Sequence, residues 1–249
     1  MPSSATAEPQ KQPGDTFHLW RTVFYLIPVI TVYTIVLGTI SLLSTLFDRS
    51  GNVAHACART WARLILVTSG VRVRVSGLEH LVPERSYVFA ANHQSIYDIP
   101  IVFASIPFQL RIVAKASLGR IPFMGWHLHR AGHLLVDRRN PGADIVRKMA
   151  RLVGELSSLI VFPEGTRSLD GTIGRFKKGP FVVAIDAQLP VVPVSIEGSR
   201  HVMRKGRLMV RPADVALTIH AAMPIDGVTR AGVVAFAGQV RAVVAADAR

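Results

Sequence analysis

Two strings in this chain set chemically active residue types close together: NHQSIYD, running from Asn92 to Asp98, and FPEGTRS, running from Phe162 to Ser168. Each follows an apolar run of the kind that forms a buried strand, and open α/β sheets place ligands just beyond the carboxyl ends of their strands. His93 and Asp98 have four residues between them. Within one regular helix they would fall on nearly opposite faces, so only a turn brings them together. With His93 on the loop and Asp98 in the first turn of a following helix, the carboxylate holds one imidazole nitrogen and leaves the other free to take a proton. The string also fits a plain helix start, in which Ser95 and Asp98 form a capping box without chemistry. Pro100 speaks against that simpler account if it falls where the helix wants a backbone N–H.

In the second string Gly165 permits a tight turn that exposes backbone N–H groups. Thr166 adds a hydroxyl, and Arg167, one turn on from Glu164, adds a guanidinium fork suited to phosphate. An ordinary surface turn with charges at its tip would look the same. Arg175, Lys177 and Lys178 make the neighbourhood strongly cationic and favour the anion site. A third stretch, Lys115 and Ser117 followed by IPFMGW (121–126), offers a cation and then an apolar wall suited to an acyl chain, with core packing as the simpler account. No serine sits in a GxSxG elbow, and Cys57, the only cysteine, lies among Ala and Val far from any helper. A base without a protein nucleophile activates the substrate's own hydroxyl, which means direct transfer onto an alcohol. A single cysteine also excludes an intrachain disulfide. His127, His129 and His133 crowd together in HLHRAGH, but no Cys or nearby carboxylate completes a ligand set, so no metal is expected.

The elements that must position these residues are marked by changes of period. VRVRVSG from Val71 alternates as a half-exposed strand does, and YVFAANH is a continuous apolar run. Further strands are expected at Gln109–Ala114, His133–Val136, Leu159–Phe162, Val191–Ile196 and Val215–Ile219, with helices at Asp144–Ser157, Gly179–Ala187 and Val228–Ala246. In the last of these Val233, Ala237, Val240 and Val244 share a face, which indicates packing. The alternation predicts an α/β fold with a mostly parallel central sheet flanked by helices.

Ahead of it, Thr22 to Phe47 holds no Asp, Glu, Lys or Arg, and as a helix it would exceed the roughly 30 Å of a bilayer's hydrocarbon core. Pro28 and Gly38 interrupt it, so a bent helix within one leaflet is as consistent as a span. A second helix from Asn52 to Val67 would complete a membrane-embedded two-helix hairpin turning at DRSGN. The resulting organisation is a disordered tail over 1–15, the hairpin over 16–69 and an α/β domain over 70–249. The net charge of +13 lies wholly after position 50, where 26 of the 29 basic and 13 of the 16 acidic residues are found. Beside an apolar anchor such a surface suits anionic lipid head groups. Arg59, Arg63, Arg72 and Arg74 place that side in the cytoplasm. A membrane-anchored nucleic-acid-binding protein is the competing class, but 7% aromatic residues and no RNP-like string give it little support.

Taken together the strings resemble the glycerolipid acyltransferase family, most closely its bacterial 1-acyl-sn-glycerol-3-phosphate acyltransferases. NHQSIYD is similar to the family's HxxxxD block and KASLGRIPFMGW to its second block. FPEGTRS with FKKG (176–179) is similar to the third, and VVPVSIEG around Pro193 to the fourth. All four stand in family order between about Val71 and Pro224. The resemblance implies a general base at His93 oriented by Asp98, acting on the free hydroxyl of lysophosphatidic acid. That hydroxyl would attack an acyl-CoA or acyl carrier protein thioester, at the cytoplasmic face of the inner membrane, with no metal or bound organic cofactor. It further implies that Arg167 and Lys115 hold the acceptor's phosphate, that Glu164, Gly165 and Thr166 belong to the same site, and that Pro193 shapes its wall. Glycerol 3-phosphate or another lysolipid as acceptor fits the same blocks.

Overall fold

The computed structural model describes residues 14–48, 50–136 and 157–247. Among them seven strands form one sheet: β1 (Val71–Ser76), β2 (Val88–Ala91), β3 (Leu110–Lys115), β4 (Leu134–Val136), β5 (Ser158–Val161), β6 (Val191–Glu197) and β7 (Ala213–Ile219). Their order is β1-β7-β6-β2-β5-β3-β4, and every neighbouring pair is parallel except β6 and β7. β1 and β7 therefore run against the other five, which deliver their carboxyl ends to one edge. Phe89 pairs with Ile160 and Val192, and Ile160 pairs with Ile112. Asn92, Pro163, Ser195 and Lys115, each three residues further on, consequently reach the same level across the sheet. The α/β fold with a mostly parallel sheet is the one expected from the alternating pattern.

Successive strand residues point to opposite faces, and the core divides accordingly. Phe89, Ala91, Ile160, Val192, Val194 and Ile196 bury against one helical layer, while Val88, Ala90, Leu159, Val161 and Val191 bury against the other. The first layer holds α3 (Asn52–Ser69) and α4 (Asp98–Ser105). The second holds α6 (Gly179–Asp186) and α8 (Val233–Asp247), with α5 (Met124–Arg130) and the short α7 (Ser199–Val202) at the periphery. Phe236 joins the four expected core residues of α8, which starts five residues later than its periodicity suggested. The helix expected at Asp144–Ser157 falls, apart from Ser157, outside the described residues.

The apolar N-terminal segment is one helix of 30 residues, Asp15–Ser44, with few of them buried. At about 1.5 Å per residue it is roughly 45 Å long. It starts at Asp15, inside what the composition marks as tail, and residues 1–13 of that tail lie outside the described residues. Pro28 does not break it. Between α1 (Asp15–Arg21) and α2 (Ile27–Ser44) the helix widens into a π turn over Thr22–Leu26, where the Ile27 N–H bonds Thr22 O, five residues back. Widening there relieves the carbonyl that a proline ring four residues on would otherwise meet. Nor is Gly38 a break: a Cβ there would lie 3.1 Å from the Phe123 Cβ, so the glycine lets α2 approach the body closely.

Asp48 starts α3, its carboxylate accepting the N–H groups of Ser50, Gly51 and Val53, and these bonds, with one from the Ser50 hydroxyl, hold its pKa below the usual carboxylate value. Gly70 in the left-handed region ends the helix, two residues beyond the expected Val67. Tyr33 Oη lies 3.1 Å from Thr68 Oγ1 and Trp61 Nε1 donates to Thr34 Oγ1, joining α2 to α3. Leu26, Ala62, Ile65 and Leu66 then bury in the same cluster as Phe89 and Ile101. The hairpin thus forms one wall of the α/β core.

Candidate active site

The site begins where β2 stops. Asn92 is fully buried, and its side-chain amide donates to Ile196 O and accepts the Ile196 N–H, both at 2.8 Å, which pins the end of β2 to β6. The next peptide is gripped from the other side. His93 N–H donates to Glu164 Oε1 at 2.8 Å and His93 O accepts Ser168 N–H at 2.8 Å, so the FPEGTRS loop holds the backbone of His93 at both ends.

His93 is 5% exposed, and its imidazole stacks on the Phe162 ring at 4.2 Å between centroids. Its Nδ1 lies 2.8 Å from Asp98 Oδ2. Facing a carboxylate oxygen, Nδ1 carries the proton, and Nε2 is left as the free base. Asp98 is completely buried, and the same Oδ2 also accepts the N–H groups of Gln94 at 2.7 Å and Ser95 at 2.9 Å. Its Oδ1 has no hydrogen-bond partner among the described residues. Ser95 in turn accepts Tyr97 N–H at 3.2 Å. Ser95 and Asp98 thus lack the reciprocal bonds of a capping box: the helix N-cap is Tyr97, without a side-chain cap, and the Asp98 carboxylate holds the imidazole together with two N–H groups of the loop before the helix. Pro100 is no obstacle. The helix begins at Asp98, so the proline falls in the first turn, where backbone N–H groups have no intrahelical partner.

In the FPEGTRS turn Gly165 takes φ +74, the left-handed region that favours glycine. A side chain there would also collide with Lys177, whose Nζ would be 2.8 Å from its Cβ. Glu164 braces the loops. Oε1 takes the His93 N–H and Oε2 the Gly174 N–H at 3.0 Å, so both oxygens are committed to backbone. Thr166 and the Arg167 carbonyl both accept from Lys205 Nζ. The Arg167 guanidinium has no hydrogen bond or ion pair among the described residues and remains available to an anion. Lys115 is exposed at the end of β3, two strands from β2 along the same edge.

Of the site residues expected from sequence, the structure brings His93, Asp98, Glu164, Gly165, Thr166 and Arg167 to one place and sets Lys115 on the same edge. Pro193 stands apart. It pairs with Ala90 inside the sheet and alternates with Val191 and Ser195 toward the α8 layer, away from the edge. Asn92, Phe162, Ser168, Gly174 and Lys205 were not singled out from sequence, and only the basic run RKGR (204–207) hinted at the last.

The second-block residues line a cavity of about 270 Å³ between the hairpin and α4, walled by Leu37 and Ala58 on one side and Ile96, Phe103, Phe123 and Met124 on the other. Two of the crowded histidines sit at this wall with separate partners: His127 Nδ1 lies 2.6 Å from Ser41 Oγ, and His133 Nδ1 accepts Ile112 N–H. Burial, aided by the Arg111 charge, pushes His127 down to about 4, and burial lowers His133 well below its usual value, so both are neutral at pH 7.

The mostly parallel sheet carries a buried His–Asp pair beside a cationic glycine turn at one edge, and the chain belongs to the acyltransferase family, matching it over residues 72–197. Among its relatives is a 1-acyl-sn-glycerol-3-phosphate acyltransferase of Chlamydomonas reinhardtii, 36% identical over 72% of this chain and 54% of that protein. Another, from Cocos nucifera, is 30% identical over 91% of this chain and 78% of its own length. The chain spans about half the length of the algal relative and of a chloroplastic one from Brassica napus. In structure it is similar to the 1-acyl-sn-glycerophosphate acyltransferase PlsC of Thermotoga maritima, with a TM-score of 0.82, 26% identity, and coverage of 93% of this chain and 95% of that one.

Proposed function

We propose that this chain moves a fatty acyl group from an acyl thioester to the free 2-hydroxyl of 1-acyl-sn-glycerol 3-phosphate, giving phosphatidic acid. The observation that carries this is the juxtaposition of an imidazole whose Nδ1 is held by a buried carboxylate with an Arg167 that has no partner among the described residues, on the loop that grips the His93 backbone. The relatives' activity supports the same reading. Nε2 takes the hydroxyl proton as the oxygen attacks the thioester carbonyl, and the Asp98 carboxylate stabilises the imidazolium that forms. Collapse of the tetrahedral intermediate breaks the C–S bond, and the imidazolium returns the proton to the leaving thiolate. The thioester is already activated, so the transfer needs neither metal nor organic cofactor. The thiol carrier is coenzyme A or acyl carrier protein. Arg167, with Lys115 further along the edge, takes the acceptor's phosphate.

Ile96 lies inside NHQSIYD and lines the apolar cavity, so an acyl chain lying there would bring its carbonyl end beside His93. Ala58→Phe, which narrows that cavity from α3, is expected to shift preference toward shorter chains, by about tenfold in kcat/KM for every two methylenes excluded. A chain-length profile with saturated acyl-CoA donors measures this, and an unchanged profile removes the cavity from the acyl path.

The N-terminal helix is proposed to lie within one leaflet of the inner membrane, with the catalytic edge facing the cytoplasm and its anionic head groups. Arg21 bonds Val210 O, Gly38 packs on Phe123 and Ser41 bonds His127, so the helix is fastened along about 30 Å of the body. Upright insertion would drag that charged body into hydrocarbon, at several kcal/mol for each charged side chain. Phe17, Trp20, Phe24, Leu46 and Phe47 stay exposed for lipid.

The test is free-thiol release from acyl-CoA against a panel of lysophosphatidic acid, glycerol 3-phosphate and other lysolipids in detergent or vesicles. Release is expected with lysophosphatidic acid foremost, and preference for another acceptor would replace that part of the reading.

A further inference from the structure

The segment from Met203 to Pro212 lies outside the four motif blocks, yet it contacts both loops that carry the site. Met203 O accepts Ser95 Oγ–H at 2.8 Å, next to the His–Asp pair. Lys205 Nζ donates to Thr166 Oγ1 at 3.0 Å and to Arg167 O at 2.8 Å. Val210 N–H donates to Thr22 Oγ1 at 3.0 Å on the N-terminal helix. One segment thus joins the loop that carries the base, the cationic turn and the N-terminal apolar helix.

Lys205 is the cation of this segment that reaches the turn, and it has capacity left over. An ammonium has three N–H donors, and two are placed on the turn. Lys177 Nζ stands over Gly165 in the same turn, and the Arg167 guanidinium is unpaired among the described residues. Among the described residues no carboxylate lies within ion-pair distance of Arg167, Lys177 or Lys205, and Glu164 turns both of its oxygens to backbone N–H groups. Arg167 belongs to the turn and Lys177 and Lys205 contact it, so three cations outnumber the one Glu164 carboxylate there among the described residues, and a bound dianion would offset their mutual repulsion.

We infer that Lys205 is a binding and positioning residue for a phosphate monoester dianion. It fastens the turn through Thr166 and the Arg167 carbonyl and adds its own charge and third N–H to the anion that Arg167 receives. This rests on the acyl-transfer reading above. Two substrates carry such a group: the lysophosphatidic acid head group, and the ribose 3′-phosphate of a coenzyme A donor. The position of the turn beside His93, which acts on the acceptor's hydroxyl, points to the acceptor.

Lys205→Met in the full chain tests this, with Lys205→Arg as the charge-keeping control. Loss of one charge-assisted contact is expected to raise KM for lysophosphatidic acid about ten- to hundredfold, with KM for acyl-CoA unchanged and most of the effect restored in Lys205→Arg. Selectivity for lysophosphatidic acid over monoacylglycerol should fall by the same factor, which a merely structural loss would not produce. A rise confined to KM for acyl-CoA, absent with an acyl-pantetheine donor, would assign the dianion to the donor instead of the acceptor. Equal losses for both acceptors, or no change in either KM, overturn the inference. Thermal stabilisation by glycerol 3-phosphate, present in the parent chain and lost in Lys205→Met, reads the site without catalysis. It also separates failure of this inference from failure of the acyl-transfer reading, which would show as a parent chain inactive on every acceptor.

Discussion

His93→Ala is expected to lower kcat for acyl transfer by about 10²- to 10⁴-fold, the range a positioned general base contributes. The loss should be chemical. Both backbone bonds that fix residue 93, to Glu164 and to Ser168, come from the peptide and survive the substitution. Asp98 loses one of three donors but keeps the N–H groups of Gln94 and Ser95. What disappears is a ring stacked on Phe162 and the free base at this point of the sheet edge. Far-ultraviolet circular dichroism and the denaturant midpoint should stay close to those of the parent chain, while thiol release from acyl-CoA collapses. A variant that retains more than a tenth of the parent rate rules out general-base catalysis by His93.

Asp98 carries more than one task, so its variants should separate catalysis from stability. Asp98→Asn keeps the shape and offers one neutral oxygen to the three donors. It removes the charge that stabilises the imidazolium and puts an amide nitrogen where Oδ1 has no partner, so kcat is expected to fall about 10²-fold with a loss of roughly 1–3 kcal/mol in stability. Asp98→Ala strands two backbone N–H groups and the His93 Nδ1 in a fully buried pocket, and about 3–5 kcal/mol of unfolding free energy should go with it. Denaturant unfolding and single-turnover rates on the same preparations measure both effects. Should Asp98→Asn turn over at the parent rate, the carboxylate serves only to hold the loop before the helix.

Much of the fold was legible because strand and helix periods are local. All seven strands lie close to their expected positions, and the N-terminal hairpin matches its apolar run. The errors were local too. Pro28 and Gly38 read as interruptions because a breaker's residue type shows what it forbids, whereas a π turn at 22–26 and a close approach to Phe123 are decided by neighbours. Pro193 was carried into the site by its motif, and sheet register put its side chain on the α8 side instead.

By itself the sequence determined which residues could do chemistry: a histidine and a carboxylate a turn apart, a glycine turn with an arginine, and an apolar helix ahead of a basic body. All of these are properties of residues near one another in the chain. Only the tertiary structure decided which oxygen of Asp98 meets the imidazole and that Glu164 spends both of its oxygens bracing two loops. It also decided that Asn92 clasps Ile196 across 104 residues and that Lys205 reaches back 38 residues to hold Arg167. Such contacts depend on how strands order themselves in the sheet and where their loops emerge, and no local period encodes that.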